Sequence, residues 1–316
     1  MDNSLRGVLV PLITPFTDDT AETVALDALA ALAHQVLDEG AAGLVALGTT
    51  GDPSALDPAE RAAVLDVCAG VCRERGVPLL VGAGEGTREN LRTLAELGRR
   101  PEVTAALALV PPFVRPGEAG VLAHFRELAA ASPLPLVVYH VPHRTGQQLG
   151  AATWTEIAAL PGVVGVKYAT GALDAAVVEL LAAAPPGFAV LGGDDVVFSP
   201  LLALGAPGGI LASAHLATGR FVELAEAWRA GELDRARALG HRLAALAAAC
   251  FAEPNPAVVK GVLAAQGRIP SAAVRLPLLP AGPAAVAAAE QALVALAELA
   301  PGRSAEPPAA AALSTR

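Results

Sequence analysis

The chain has 316 residues, which is enough for one large α/β barrel or for two smaller domains. Its formal net charge of −9 disfavours nucleic acid as a partner, because a nucleic-acid site requires a basic patch. No run of about 18 apolar residues predicts a membrane span, and the first residues lack the charged start and apolar stretch of a secretion signal. We therefore expect a cytoplasmic protein with neither a nucleic-acid nor a membrane partner.

From residue 7 onward, short apolar segments alternate with alanine-rich helical patterns, which is typical of repeated strand–helix units. Eight apolar segments predict strands at 7–13, 42–47, 78–82, 105–110, 136–139, 163–168, 189–192 and 208–211. Eight helical patterns follow them, at 25–39, 58–75, 87–98, 117–131, 153–159, 172–183, 196–204 and 216–230. This order predicts an α/β fold, the (β/α)8 TIM barrel. An open doubly wound sheet is the alternative, disfavoured because no Gly-x-Gly-x-x-Gly pattern follows the first strand.

Three regions divide the chain. Residues 1–230 are expected to form the barrel, which would be the catalytic domain. The pattern then becomes purely helical, with helices expected at 233–251, 257–266 and 281–299, and this predicts a C-terminal helical cap over residues 231–300. Residues 301–316 are rich in Pro, Ala and small polar residues, and we expect them to form a disordered tail.

Lysine is rare in this chain. Lys167 and Lys260 are the two lysines among 22 basic residues, and the other twenty are arginine. Lys167 lies in an apolar strand pattern, where desolvation favours the uncharged amine that acts as a nucleophile; arginine has no such form. Lys167 is therefore a candidate for covalent chemistry. Lys260 lies on a predicted helix, and we expect it to brace the cap against the barrel.

The active site of a (β/α)8 barrel forms at the carboxyl ends of the strands, so polar residues at those ends are the candidates. Lys167 is suited to attack a keto carbon and form an imine. Tyr139, if hydrogen-bonded to Thr49, is suited to move protons during that reaction. Arg144 is suited to hold a carboxylate bidentately, and Thr50, on a loop that opens a helix, is suited to hold another.

Five motifs in this order resemble the dihydrodipicolinate synthase and N-acetylneuraminate lyase family of Schiff-base-forming barrels. They are GTTGD at 48–52, YHVPHRTG at 139–146, GVVGVKYATG at 162–171, GGDD at 192–195 and EPNPAVVK at 253–260. The resemblance covers roughly residues 7–280. It implies a class I lyase or synthase that binds pyruvate and condenses it with an aldehyde, aspartate semialdehyde in the synthases, on the way to diaminopimelate and lysine.

The resemblance also implies a role for each matching residue. Lys167 would form the imine, Tyr139 and Thr49 would relay protons, and Thr50 would hold the pyruvate carboxylate. Three further residues would contact substrate: Arg144 the carboxylate of the second substrate, and Gly193 and Ile210 the bound pyruvate through their main chain. We expect no metal and no organic cofactor, because the imine itself supplies the electron sink. The resemblance further suggests a homo-oligomer, a dimer or a tetramer.

The chain departs from the family pattern near the predicted mouth of the barrel. The synthases have two tyrosines after the fourth strand, one of which reaches the neighbouring protomer's site, but here Phe113 and Val114 occupy this stretch. His140 and His143 flank the mouth and are candidate accessory residues, for a substrate hydroxyl or for the missing phenol's proton transfer; an ordinary loop role is the alternative. Phe113 is the third possible accessory residue.

Asp194 and Asp195 are expected to cap the helix that follows them.

The departures from the family pattern leave open an aldolase for a 2-keto-3-deoxy sugar acid or a dehydratase of the same family. They also leave open a non-catalytic keto-acid sensor.

Overall fold

A computed structural model describes residues 5–300. Eight parallel strands pair in chain order, and the last pairs with the first, so that the sheet closes into a barrel. The strands are β1 (Gly7–Pro11), β2 (Gly43–Ala46), β3 (Leu79–Gly82), β4 (Val103–Leu109), β5 (Leu136–His140), β6 (Val163–Tyr168), β7 (Ala189–Gly192) and β8 (Gly208–Ile210). The predicted (β/α)8 TIM barrel is confirmed, and the doubly wound sheet is wrong.

Helices follow the strands around the barrel. They are α1 (Leu26–Asp38), α2 (Pro58–Arg75), α3 (Thr87–Leu97), α4 (Gly117–Ala131), α5 (Pro142–Thr145), α6 (Ala151–Ala158), α7 (Ala175–Ala183), α8 (Phe198–Ala203) and α9 (Ala214–Ala230). The short helix α5, inside the YHVPHRTG motif, was not predicted. Within residues 5–300, no helix is both long enough and apolar enough to cross a membrane.

Alternate residues of each strand face opposite sides of the sheet, and this divides the core into two layers. Leu9, Val45 and Leu80 pack inside the barrel, whereas Val8 and Leu44 pack outward in the layer shared with the helices. Because parallel strands are buried on both faces, they are predominantly apolar. A polar side chain that points into the barrel is therefore exceptional and is a candidate for function.

The C-terminal extension is helical, as predicted, with α10 (Leu233–Cys250), α11 (Ala257–Ala265) and α12 (Pro283–Ala297). Leu243 of α10 and Val262 of α11 belong to the same continuous core as Phe221 of α9. The cap thus packs directly on the barrel helices. The boundary at residue 230 stays a prediction, and the tail expected at 301–316 lies outside the described residues.

Lys260 braces the cap against the barrel, which confirms the role expected for it. Its side chain is buried, and Nζ donates a hydrogen bond of 2.6 Å to the carbonyl of Ala273. The same Nζ lies 4.2 Å from the ring centroid of Phe16, in the connection between β1 and α1. Burial lowers the pKa of Lys260 to about 7, and the nearby carboxylate of Asp52 opposes this shift.

Candidate active site

Lys167 and Tyr139 lie side by side in the barrel interior. They are register partners on neighbouring strands, Tyr139 on β5 and Lys167 on β6. The relative exposure of Lys167 is 6% and that of Tyr139 is 8%. Nζ of Lys167 lies 4.4 Å from the ring centroid of Tyr139. Because register partners on adjacent strands point to the same face, the fold itself brings the amine and the phenol together.

Thr49 and Thr50 lie in a short 3-10 turn, Thr49–Gly51, which directly follows β2. Thr50 is 3% exposed, and its hydroxyl oxygen accepts a hydrogen bond of 3.0 Å from the side-chain amide of Asn255. Thr49 is half-buried. The hydrogen bond expected between Thr49 and Tyr139 is not formed among the described residues.

Gly193 and Ile210 lie on the far side of Lys167. Ile210, at the end of β8, is fully buried in the barrel interior, and the backbone N–H of Gly193 donates to the carbonyl of Tyr168 at 2.7 Å. A Cβ atom at position 193 would lie 2.7 Å from Cγ of Lys167. The close approach of this backbone to the lysine therefore requires glycine.

Arg144 and His143 are exposed residues of α5, the helix that begins directly after the end of β5. Among residues 5–300, no group forms a hydrogen bond or an ion pair with the Arg144 guanidinium, which leaves it available to a ligand. The pKa of His143 is lowered by partial burial and by Arg144, against the opposing effect of Asp194. His143 is therefore near both charged groups.

His140 does not face the mouth of the barrel, which corrects its proposed accessory role. It follows Tyr139 on β5 and therefore points to the opposite face of the sheet. Its ring is fully buried, with its centroid 5.0 Å from the ring of Trp154 and 5.3 Å from that of Tyr168. Burial lowers the pKa of His140 to about 4, so the ring is neutral at physiological pH.

Tyr168, next to the lysine, also points away from the site. Its hydroxyl donates to the carboxylate of Asp174, with distances of 2.8 and 2.9 Å to the two oxygens. Burial and this carboxylate both raise the pKa of Tyr168. Its hydroxyl is therefore committed to holding the start of α7, where Asp174 is the N-cap residue.

Phe113 lies outside the barrel interior, with 82% of its side chain exposed, and Val114 is 76% exposed. The backbone of Phe113 has a φ of 63°, in the left-handed region that is costly for a bulky residue. The loop borders a cavity of about 270 Å³ whose wall includes Glu85, Thr87 and His124. The structure does not bring Phe113 to Lys167.

The two aspartates of the GGDD motif have different roles. Asp194 accepts a hydrogen bond of 3.3 Å from the backbone N–H of Val196, which is a local turn contact. Asp195 is buried and accepts from both the backbone N–H and the hydroxyl of Ser213. The expectation that Asp194 and Asp195 cap the following helix is therefore wrong, because the N-cap residue of α8 is Val197 and no side chain caps it. The Asp195 carboxylate instead joins β7 to the loop after β8. Burial raises the pKa of Asp195 to about 6.

Comparison with known proteins assigns the chain to a family. The model of the dihydrodipicolinate synthetase family matches residues 4–296. The chain belongs to this family. 4-Hydroxy-tetrahydrodipicolinate synthase 2 of Clostridium acetobutylicum is 33% identical over 276 residues, which are 87% of this chain and 95% of that protein.

Solved structures of family members have the same fold. The chloride-inhibited dihydrodipicolinate synthase of Acinetobacter baumannii, in complex with pyruvate, gives a TM-score of 0.87 at 31% identity, with 93% of this chain and 99% of that chain covered. A dihydrodipicolinate synthase variant described as the first monomeric one gives a TM-score of 0.87 at 28% identity, with coverages of 93% and 97%.

Two residues near the site were not singled out from the sequence. Asn255 belongs to the EPNPAVVK motif, but its neighbour Thr50 is 205 positions away along the chain. Arg115 lies in the loop after β4, and its guanidinium packs against Gly146, where an added Cβ would lie 2.4 Å from Nε. The motif was the only indication of Asn255, and no pattern indicated Arg115.

Proposed function

We propose that this chain is a Schiff-base-forming class I lyase that binds pyruvate on Lys167 and condenses it with aspartate semialdehyde, as a 4-hydroxy-tetrahydrodipicolinate synthase does. One observation carries the proposal. A buried lysine amine lies 4.4 Å from the centroid of a buried tyrosine ring, inside the barrel at the carboxyl ends of adjacent strands. That is the position in which enzymes of this fold place their catalytic groups.

The chemistry follows from these groups. The uncharged Nζ of Lys167 adds to the C2 carbonyl of pyruvate, and water leaves to give an imine. Loss of a proton from the C3 methyl group gives an enamine, whose C3 forms a bond to the aldehyde carbon while the aldehyde oxygen takes up a proton. In this proposal Tyr139 and Thr49 move these protons, and hydrolysis of the product imine regenerates the amine.

The carboxylates of the two substrates have separate positions in this proposal. The hydroxyl of Thr50 takes the pyruvate carboxylate, next to the main chain of Gly193 and Ile210. The guanidinium of Arg144, at the rim and without a partner among residues 5–300, takes the carboxylate of aspartate semialdehyde in a bidentate ion pair. Exposed His143 lies beside it and is the remaining candidate accessory residue at the rim.

We also propose that the chain acts in lysine biosynthesis in the cytoplasm, as a homo-oligomer, either a dimer or a tetramer. The exposure of Phe113 and Val114 supports an oligomer, because covering an apolar side chain of this size stabilises an interface by about 1.5–3 kcal/mol. Sedimentation of the purified chain tests this proposal. A monomer at all concentrations would overturn it, and a family member described as monomeric makes that outcome informative.

Borohydride reduction in the presence of pyruvate tests the central step, because it converts an imine into a stable secondary amine. We expect a pyruvate adduct on the peptide that contains Lys167 and none on that containing Lys260, the second lysine and an internal control. The variant K167R should give no adduct. An unmodified Lys167 in folded wild-type protein would refute the proposal.

The second substrate is tested by turnover. Aspartate semialdehyde should be consumed with pyruvate, and sugar-derived keto acids and aldehydes should react far more slowly. Faster reaction of a sugar-derived compound would favour the aldolase or dehydratase alternative. Imine formation without turnover of any compound would favour the keto-acid sensor.

A further inference from the structure

The 3-10 turn after β2, which carries Thr50, is held by the C-terminal cap and not by the barrel alone. The side-chain amide of Asn255 donates to the hydroxyl oxygen of Thr50 at 3.0 Å. Nearby, the guanidinium of Arg275 donates to the carbonyl of Ala55 at 2.9 Å. Lys260 lies close enough to Asp52 for each to shift the pKa of the other. Three cap residues thus converge on residues 50–55.

Asn255 reaches Thr50 from a segment that is itself anchored. Two residues earlier, the carboxylate of Glu253 accepts from the backbone N–H of Gly282 at 3.1 Å, at the start of α12. Five residues later, Lys260 is bonded to the carbonyl of Ala273. The segment that carries Asn255 is therefore anchored both before and after this residue, and the position of the Asn255 amide relative to Thr50 depends on the folded cap.

The direction of this hydrogen bond decides how Thr50 can act. A threonine hydroxyl has one hydrogen to donate and lone pairs to accept. Since the N–H of Asn255 occupies a lone pair, the hydroxyl hydrogen is left to donate, and no acceptor among residues 5–300 takes it. A carboxylate is an acceptor only, so a hydroxyl in this state is suited to bind one.

We propose that Asn255 is a positioning residue that orients the Thr50 hydroxyl toward the carboxylate of the keto acid, so that the C-terminal cap completes the substrate site. This inference rests on the proposed function, since it requires a keto acid at Lys167. It assigns to the EPNPAVVK motif a part in substrate binding in addition to its packing of cap on barrel.

The test measures borohydride trapping of pyruvate at Lys167 as a function of pyruvate concentration, in wild type, N255A and N255D. We expect N255A to raise the half-saturating concentration by roughly five- to tenfold, the effect of one lost hydrogen bond, with full modification retained at saturation. N255D should raise it by roughly a hundredfold or more, because a carboxylate takes the Thr50 hydrogen and repels the anionic substrate. Q266A, which removes an exposed amide elsewhere in the cap, should behave as wild type.

A double-mutant cycle separates orientation from general loosening of the cap. T50V removes the hydroxyl, so adding N255A to T50V should change the half-saturating concentration by less than about twofold. An equal effect of N255A in both backgrounds would overturn the proposal, as would an N255D variant no weaker than N255A. Wild type that forms no adduct would overturn the proposed function as well, whereas a wild-type adduct with unaffected variants would overturn the role of Asn255 alone.

Discussion

His215 should make the stability of this protein sensitive to mild acid. Its ring is fully buried; Nδ1 donates to the carbonyl of Ala212 at 2.7 Å, and Nε2 accepts from the backbone N–H of Ile13 at 3.2 Å. The bond to Ile13 requires an unprotonated Nε2. Burial is the largest cause that lowers the pKa of His215 from 6.5 to about 4; the hydrogen bond to Ala212 opposes the shift and the charge of Arg268 adds to it.

The sign and size of the effect follow from linkage. A histidine whose pKa is lowered by folding contributes stability that is fully present above pH 6.5 and is lost as the pH falls toward 4. At pH 5 the ring is protonated in nearly all unfolded chains but in only about a tenth of folded ones. Between pH 7.5 and pH 5, His215 should therefore lower the free energy of unfolding by about 2 kcal/mol.

Urea denaturation of wild type and H215Q at both pH values, at one protein concentration, tests this value. Glutamine keeps a donor and an acceptor but does not titrate. Because His124 and His140 also have pKa values of about 4, both proteins should be less stable at pH 5. The loss should be about 2 kcal/mol smaller in H215Q. Equal losses in the two proteins would refute the argument that His215 is held neutral by folding.

Three further substitutions test the site and its supports. G193A should slow pyruvate trapping by at least about tenfold with an unchanged circular dichroism spectrum, because the new Cβ displaces the side chain of Lys167; wild-type trapping would contradict the close packing. R144A should raise the apparent KM for aspartate semialdehyde roughly fiftyfold and leave that for pyruvate within about twofold in steady-state kinetics; equal effects would refute its role. R275A removes hydrogen bonds to two backbone carbonyls in the connection between β1 and α1, to the carbonyl of Ala55 and to the Glu60 carboxylate. It should lower the free energy of unfolding by about 2–3 kcal/mol in urea titrations. R275K should recover part of this loss, and an unchanged midpoint in R275A would contradict it.

Much of the candidate site could be predicted from sequence, because barrel geometry converts strand order into position. Once eight strands were assigned, the carboxyl ends of β2, β5, β6 and β7 had to meet at one mouth. The pairing of Tyr139 with Lys167 follows from the register of adjacent strands, which the structure supplies. The error on His140 has a simple physical cause, since neighbours on a strand point to opposite faces, and Tyr139 already points inward.

What the sequence by itself determined is the local and periodic part of this protein: eight apolar strands, the helices between them, a helical cap and one lysine within an apolar strand. These features depend on residues close together along the chain, where burial and periodicity act directly. Only the tertiary structure decided the contacts between distant segments, such as Asn255 with Thr50 and Asp195 with Ser213. Such contacts depend on where the cap and the loops come to lie after the chain has packed, and no short-range pattern records that.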